Sequence, residues 1–238
     1  MINLSLQIYK IITKKIEFKI SFLYLFMGTL FIGNQYLNQS YLEIIKNILQ
    51  NPTYLVMIIF PSFLFITIIN YKYFENNIHV LLRFDDRKKI IISQIVTSFL
   101  NNIMYYLEFM LIFFISINLT KNTGFYFDLK TVLSITFQFL KILSMIFLIS
   151  LLYSTISHKI SKTIALIITF SFLLFIFCSK IGTSNNIIID FLNPYFHLII
   201  NNNKLNILSD ILYYLLNYLI MIKISISNLN KNKMIGAL

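Results

Sequence analysis

Long apolar runs alternate with short polar segments along almost the whole chain of 238 residues. Each run is close to the roughly 20 residues that an α-helix needs to cross about 30 Å of hydrocarbon. Because a backbone in hydrocarbon must satisfy its own hydrogen bonds, each run is predicted to be helical. The pattern predicts an all-α membrane protein of one domain with six transmembrane helices, at residues 20–37, 54–74, 97–119, 131–153, 163–179 and 207–227.

Residues 1–19, before the first predicted span, have the spacing of an amphipathic helix. Lys10 and Lys14 lie on the polar face. The apolar face consists of Leu4, Ile8, Ile11, Ile12 and Ile16. A helix with a basic polar face suits the headgroup region of an anionic leaflet, so we expect it to lie in the membrane interface. A solvated tail is the alternative.

Three further features interrupt the simple pattern of spans. Residues 38–53 carry enough apolar positions for a short interfacial helix. Residues 187–200 are too apolar for a free loop, too short to span, and broken at Asn193-Pro194, which favours a re-entrant or interfacial hairpin. Pro61 is expected to kink the second span, because a proline leaves one backbone carbonyl without its usual donor.

Composition and charge agree with this assignment. Only 12% of residues are charged, mean hydropathy is +0.76, and the net charge is +11. Lys and Arg are concentrated in alternate segments between the spans, so the positive-inside rule predicts a multi-pass protein of the plasma membrane with both termini in the cytoplasm. This rule accounts for the positive charge without a nucleic-acid partner. The single cysteine, Cys178, excludes an intrachain disulfide.

The densest charge cluster lies in residues 75–94, between the second and third predicted spans. Charges at this density cannot stay in hydrocarbon, so the segment must lie in water or among headgroups. Its excess of Lys and Arg places it on the cytoplasmic side. We predict a short helix there, available to a protein partner. The charged residues are Arg83, Asp85, Asp86, Arg87, Lys88 and Lys89.

Two ionisable residues are predicted near the middle of the membrane. Glu108 lies about half-way along the third span and Lys141 about half-way along the fourth. An isolated charge at that depth costs at least about 2.5–3.5 kcal/mol, so either an ion pair between them or a neutral Glu108 is expected. The pair has two interpretations, a gate or substrate contact, or a structural pair that orients two helices. Asp210, near the outer end of the last span, is expected to reach the headgroup region.

The inner end of the third span also has a polar face. Gln94, Ser98, Asn101 and Asn102 lie on the same side of the predicted helix. Such residues either pack against neighbouring helices or line a polar vestibule.

Motifs that would support catalysis are absent from the sequence. It contains no G-x-x-x-x-G-K-[ST] phosphate loop, no H-E-x-x-H zinc motif and no G-x-S-x-G nucleophile motif. The three histidines lie in different predicted loops, so a metal site is not expected. A channel is equally unsupported, because there is no glycine-rich filter or regular arginine series. We therefore expect no enzyme activity and no bound cofactor in this chain.

The segment L-L-R-F-D-D-R-K-K-I-I-I-S-Q, together with the predicted topology, resembles a known family. It is similar to permease subunits of ABC transporters of the type-2 exporter class, in particular small Gram-positive permeases of bacteriocin or antimicrobial-peptide export and immunity systems. The resemblance implies that the segment between spans two and three is a coupling helix bound by a separate ATPase subunit, and that residues 187–200 form outer re-entrant helices.

The resemblance also implies that ATP binding and transport belong to different subunits. ATP and Mg²⁺ would belong to the partner ATPase, and this chain would form a homodimer, or a heterodimer with a similar permease, that exports an amphipathic peptide, lipid or drug. A non-transporting immunity or anchor protein that binds a toxin or partner is the alternative. The expected contacts with the ATPase are Leu82, Arg83, Phe84, Asp85, Asp86, Arg87 and Lys88, with His158 and Lys159 in a second loop.

Overall fold

The computed structural model describes residues 2–36, 41–76, 87–120, 129–179, 191–198 and 204–231. Within them every regular element is a helix. The α-helices are α1 (Ile2–Thr13), α2 (Ile16–Gly33), α3 (Tyr41–Gln50), α4 (Pro52–Tyr54), α5 (Phe60–Asn76), α6 (Arg87–Thr120), α7 (Leu129–Ser157), α8 (Lys162–Ser179) and α9 (Lys204–Lys231). Short 3₁₀ helices cover Asn34–Tyr36 and Phe196–Leu198, and a π-helix covers Leu55–Ile59.

Five of these helical segments are long and apolar enough to cross a membrane: Ile16–Gly33, Pro52–Tyr73, Lys89–Leu119, Val132–Ser157 and Ile207–Ser227. A sixth apolar helix, Lys162–Cys178, is shorter. The prediction of an all-α membrane protein is therefore confirmed, and all six predicted spans coincide with helices, although the boundaries differ by several residues.

Side-chain contacts give the relative directions of the helices. Thr67 and Tyr71 of α5 meet Ser150 and Ser154 of α7 in the same order along the chain, so these two helices are parallel. Helices α7 and α9 are parallel for the same reason. Their contacts in chain order are Lys141 with Asp210, the Ser144 carbonyl with Tyr218, and Thr155 with Ser225. By contrast, Asn101 and Asn102 of α6 meet Asn70 and Thr67 of α5, as in an antiparallel pair.

The N-terminal helix is shorter than predicted and packs on protein. It ends at Thr13, and α2 begins at Ile16 after an extended Lys15. Ile8, Tyr9 and Ile12 are buried, whereas Ile16, assigned to the apolar face of the first helix, is 71% exposed on α2. Tyr9 packs edge-on against Phe18. Much of the apolar face therefore contacts the bundle.

The segment predicted as a separate short helix, residues 75–94, is divided differently in the structure. Glu75 and Asn76 complete α5, and residues from Arg87 onwards are the first turns of α6. No glycine or proline interrupts the chain from Arg87 to Thr97, and Ile91, Ser93 and Gln94 are buried against the bundle, so the helix continues without a break. The prediction of an independent helix over residues 75–94 was wrong for its second half.

The second span contains an irregularity just before Pro61. A π-helix at Leu55–Ile59 joins α4 to α5. Since Pro61 has no N–H, the Met57 carbonyl loses its regular donor. The hydroxyl of Tyr24 on α2 donates to this carbonyl at 2.8 Å, and Ser62 Oγ donates to the Ile58 carbonyl at 2.7 Å. Side chains thus satisfy the backbone where the helix departs from regular geometry, as expected for a kinked span.

Replacing Gly28 by alanine is expected to lower the free energy of unfolding by about 1 kcal/mol, the low end of the cost of overpacking. A Cβ at Gly28 would lie 2.6 Å from Ile58 Cδ1, next to the π-helix, and this flexible side-chain end would have to move. Detergent-unfolding midpoints measured by circular dichroism check the effect. Ile58→Val removes the closer methyl and leaves Cγ2 at 2.9 Å, so the double variant should recover part of the loss; no recovery would contradict the close contact.

Candidate functional site

A cluster of amide and hydroxyl side chains joins three helices in the centre of the bundle. Asn101 Nδ2 donates to Asn70 Oδ1 at 2.9 Å. Asn102 Nδ2 donates to Ser150 Oγ at 2.8 Å and to Thr67 Oγ1 at 3.3 Å, and the latter two hydroxyls lie 2.9 Å apart. All five side chains are buried. The structure therefore places Asn101 and Asn102 in packing contacts between α5, α6 and α7.

The polar face of α6 continues from this cluster toward Arg87. Gln94 and Ser98, which the sequence placed on the same face, are 4% and 5% exposed. Several of its buried polar atoms have no hydrogen-bond partner in the described part of the chain, and each such atom carries a desolvation cost of about 1–3 kcal/mol. This side of α6 is therefore only partly satisfied by hydrogen bonds among the described residues. The atoms are Ser93 Oγ, Gln94 Oε1, Thr97 Oγ1 and Ser98 Oγ; the amide cluster contains two more, Asn70 Nδ2 and Asn102 Oδ1.

The turn between α7 and α8 lies beside the end of α5. The Tyr71 hydroxyl contacts Ser154 Oγ and is 3.5 Å from His158 Nε2. His158 is half-buried and Lys159 is exposed. Arg87 and Lys88 form the first residues of α6, but their side chains are outside the description. The remaining predicted ATPase contacts, Leu82, Arg83, Phe84, Asp85 and Asp86, lie outside the described residues.

A second buried cluster joins α7, α9 and the segment at residues 191–198. Lys141 Nζ is 2.5 Å from Asp210 Oδ2, and His197 Nδ1 is 2.7 Å from Asp210 Oδ1. His197 Nε2 is 2.9 Å from the Phe191 carbonyl, and the imidazole stacks on Tyr213 at a centroid distance of 4.0 Å. Lys141, His197 and Asp210 are at most 5% exposed.

The predicted ion pair between Glu108 and Lys141 is therefore wrong: Lys141 pairs with Asp210, and half-buried Glu108 is next to Tyr9 of α1. The reason is geometric. Glu108 faces α1 on one side of α6, and Lys141 faces α9 on one side of α7. The rotation of each helix therefore turns the two side chains toward different neighbours. The expectation that Asp210 reaches the headgroups is also wrong, because Asp210 is buried.

The hairpin predicted at residues 187–200 is described for residues 191–198. Phe191 and Leu192 are helical, Asn193 Oδ1 accepts from the Tyr195 backbone N–H at 2.9 Å, and a 3₁₀ turn follows. Pro194, Tyr195, His197 and Leu198 are buried. Gln138 Nε2 of α7 donates to the carbonyls of Leu198 (2.7 Å) and Leu49 (3.2 Å). This segment therefore packs into the same end of the bundle as α3.

Sequence reasoning missed His197 and Asp210 as a pair. They are 13 positions apart, on opposite sides of a helix start, and no periodicity joins them. The only available signal was the apolar surroundings of His197, which is an unusual position for a histidine in a free loop.

The fold and these two clusters define an all-α, multi-pass membrane protein with buried polar groups between its helices. Comparison with protein-family models, curated proteins and solved structures gave no match to this chain.

Proposed function

We propose that this chain is the membrane-spanning permease subunit of an ATP-driven exporter, coupled in the plasma membrane to a separate ATPase. The observation that carries the proposal is the continuity of α6. One helix of 34 residues runs from the basic segment at Arg87, past the amide cluster at Asn101 and Asn102, to Thr120. At 1.5 Å per residue it is about 51 Å long, roughly 20 Å more than the hydrocarbon requires.

This length supports a role in transmitting movement. A partner that binds residues 82–88 would act on one end of a rigid helix, and the displacement would reach the contacts with Thr67 and Ser150. The face around Gln94 and Ser98, whose polar atoms include several without partners in the described chain, offers little resistance to sliding. The π-helix at Leu55–Ile59 supplies an irregular position in the neighbouring span, as is frequent at functional sites.

A six-crossing topology belongs to the proposal. Because α7 and α9 are parallel, the chain must return to the other end of the bundle between Ser157 and Lys204. Helix α8, with 18 residues or about 27 Å, is suited to that return. Both termini, residues 77–86 and the α7–α8 turn would then share one end, which the positive-inside rule assigns to the cytoplasm. Two such subunits, identical or similar, would complete the transporter.

The exposed cations of the described residues support this assignment. Lys10 and Lys14 lie beside the start of α2, Lys72 and Lys89 at the paired ends of α5 and α6, and Lys159 in the α7–α8 turn. This end of the bundle presents a basic surface to which a partner with acidic rims could bind.

The test is a search for a phosphate-loop ATPase encoded by a neighbouring gene and co-purification of the full chain with it, followed by ATPase assay in reconstituted membranes. Arg83→Glu and Phe84→Ala are expected to weaken association at least about tenfold, the loss typical when a central interface residue is removed. Lys46→Glu changes an exposed cation on α3, at the other end, and should leave association unchanged. Activity of the chain without any ATPase, or labelling of position 84 from outside the cell, would overturn the proposal. Specific binding of a toxin without transport would favour the immunity alternative.

A further inference from the structure

Glu108 lies in a part of α6 that any placement of the membrane along this helix would put in hydrocarbon. It is 19 residues after Lys89 and 11 before Leu119, the two ends of the apolar span. At 1.5 Å per residue this span is about 45 Å long, whereas the hydrocarbon layer is about 30 Å thick. A layer placed anywhere within the span therefore contains Glu108.

The exposed part of the Glu108 side chain is on the surface that surrounding lipid would contact. Leu111 and Ile115 lie three and seven positions further along the same helix face, and both are more than half exposed. Leu107, the preceding residue, is exposed as well. Glu108 itself is half-buried. Its carboxyl group therefore lies where the bundle meets lipid.

On the protein side, Glu108 is covered by the N-terminal helix α1. The Tyr9 hydroxyl is buried, lies next to this carboxyl, and has no other hydrogen-bond partner in the described part of the chain. The Tyr9 ring packs edge-on against Phe18 at a centroid distance of 6.0 Å. The neighbouring hydroxyl on α6, that of Tyr105, is already bonded to Ser21 Oγ at 2.6 Å. Tyr9 is therefore the hydroxyl that is available to Glu108.

Among the described residues, no cation pairs with Glu108. The titratable groups that interact with it are Tyr9 on α1 and Tyr105 on its own helix. The four lysines and the one glutamate of residues 10–19 make no ion pair or hydrogen bond with it, and Lys141 pairs with Asp210. A carboxylate without a cation is costly in hydrocarbon, so the neutral, protonated form is favoured. A neutral carboxyl can both donate to and accept from the Tyr9 hydroxyl.

We propose that Glu108 is a proton-binding site, and that the bound proton keeps α1 packed against α6. With the proton present, the carboxyl and the Tyr9 hydroxyl satisfy each other at a surface from which water is excluded. Without it, the carboxylate would have to reach water or a cation, and α1 is the element that covers it. Loss of the proton is therefore expected to loosen α1, whose apolar face also suits the membrane interface. The inference does not rest on the proposed exporter function, because neither the proton nor α1 needs an ATPase.

A carbodiimide detects the proton directly. When it reacts with a carboxylic acid, the acid proton goes to a carbodiimide nitrogen and the carboxyl oxygen bonds to the central carbon. The full chain in nanodiscs of phosphatidylcholine is treated at neutral pH with dicyclohexylcarbodiimide, which enters the bilayer. Mass spectrometry is expected to show Glu108 at least about tenfold more modified than Glu17, an exposed acid at the start of α2, because charge is strongly disfavoured only at Glu108. Glu108→Gln should remove the label.

Two results would overturn the proton-binding site. Equal modification of Glu108 and Glu17 would show that Glu108 is as ionised as an acid in water. A carbodiimide cross-link from Glu108 to a lysine of another chain would show that the carboxylate is paired with a cation of a second copy.

A second experiment follows the position of α1. Spin labels are attached to cysteines at Leu6 on α1 and Ile115 on α6, both exposed, in a chain that also carries Cys178→Ala. The neutral carboxyl is present at the lower pH and is lost as the pH rises. Distances from double electron–electron resonance are therefore expected to shift to longer values between neutral and alkaline pH, because an ionised Glu108 cannot stay in hydrocarbon beside Tyr9.

Two variants separate Glu108 from the other groups that ionise at alkaline pH, which include Tyr9, Tyr105 and the lysines of residues 10–19. Glu108→Gln is neutral at every pH and should keep the short distance throughout. Glu17→Gln, the matched change of an exposed acid, should shift as the unchanged protein does. A shift that persists in Glu108→Gln, or no shift in the unchanged protein, would overturn the role of the proton in packing α1.

Discussion

Replacing Asp210 by leucine is expected to lower the free energy of unfolding by about 3–5 kcal/mol, the largest effect of any single change considered for this protein. Removal of one member of a buried ion pair takes away the charge that offsets the desolvation of the other member. Here Lys141 would lose the carboxylate 2.5 Å away, and His197 would lose its partner at 2.7 Å. The loss is measured as a shift in the detergent-unfolding midpoint followed by circular dichroism.

The double variant tests whether the effect comes from an unpaired charge. Lys141→Met with Asp210→Leu removes both members of the ion pair, so most of the lost stability should return. Glu17→Gln, which changes an exposed acid on α2, is the matched control and should have little effect. If Asp210→Leu unfolds at the same detergent fraction as the unchanged protein, the buried pair does not contribute to stability.

Replacing Asn101 and Asn102 together by leucine is expected to cost about 2–3 kcal/mol. The change removes the amide bonds from α6 to Asn70, Thr67 and Ser150, and leaves buried Asn70 without its donor. Hydrogen bonds between membrane helices average about 0.6 kcal/mol, so most of the loss should come from the polar groups left behind. The same unfolding assay measures it.

Asn217→Leu is the control for this pair of substitutions. The Asn217 amide donates to the Tyr213 carbonyl of its own helix at 2.8 Å and has no hydrogen bond to another helix among the described residues, so its loss should change stability by much less. If the proposed exporter activity is present, the Asn101 and Asn102 variant should also lose transport more than ATPase association, because residues 82–88 are unchanged. A loss of ATPase binding instead would argue that the cluster acts only through folding.

The two clusters are predicted to differ in their roles. The amide cluster joins α5, α6 and α7 with neutral groups that can exchange partners at modest cost. The cluster at Asp210 holds the segment around His197 against α7 and α9 with charges that cannot be separated cheaply in a low-dielectric interior. Movement is therefore expected along α6, while the end of the bundle around His197 stays closed. Disulfide or spin-label distances across each cluster would measure this difference.

Sequence patterns correctly located the helices and their polar faces, because these features depend on residues that are close together along the chain. An apolar run with no water around it must form its hydrogen bonds within itself, so each predicted span coincides with a helix. The same reasoning placed Gln94, Ser98, Asn101 and Asn102 on one buried face, because helical periodicity is a property of consecutive residues. Boundaries were less accurate: α6 begins at Arg87 and not near Thr97, since its basic first turns are helical without being apolar.

By itself, the sequence determined that this protein is an all-α membrane protein, where its helices lie, and which of their faces are polar. Only the tertiary structure decided the charge partners. Glu108 and Lys141 matched in depth along their helices, yet Glu108 faces α1, and Lys141 instead meets Asp210 and, through it, His197. Depth follows from counting residues along a helix. Which charged residues pair depends on the rotation of each helix and the direction of its side chains, and both are set when all the helices pack together.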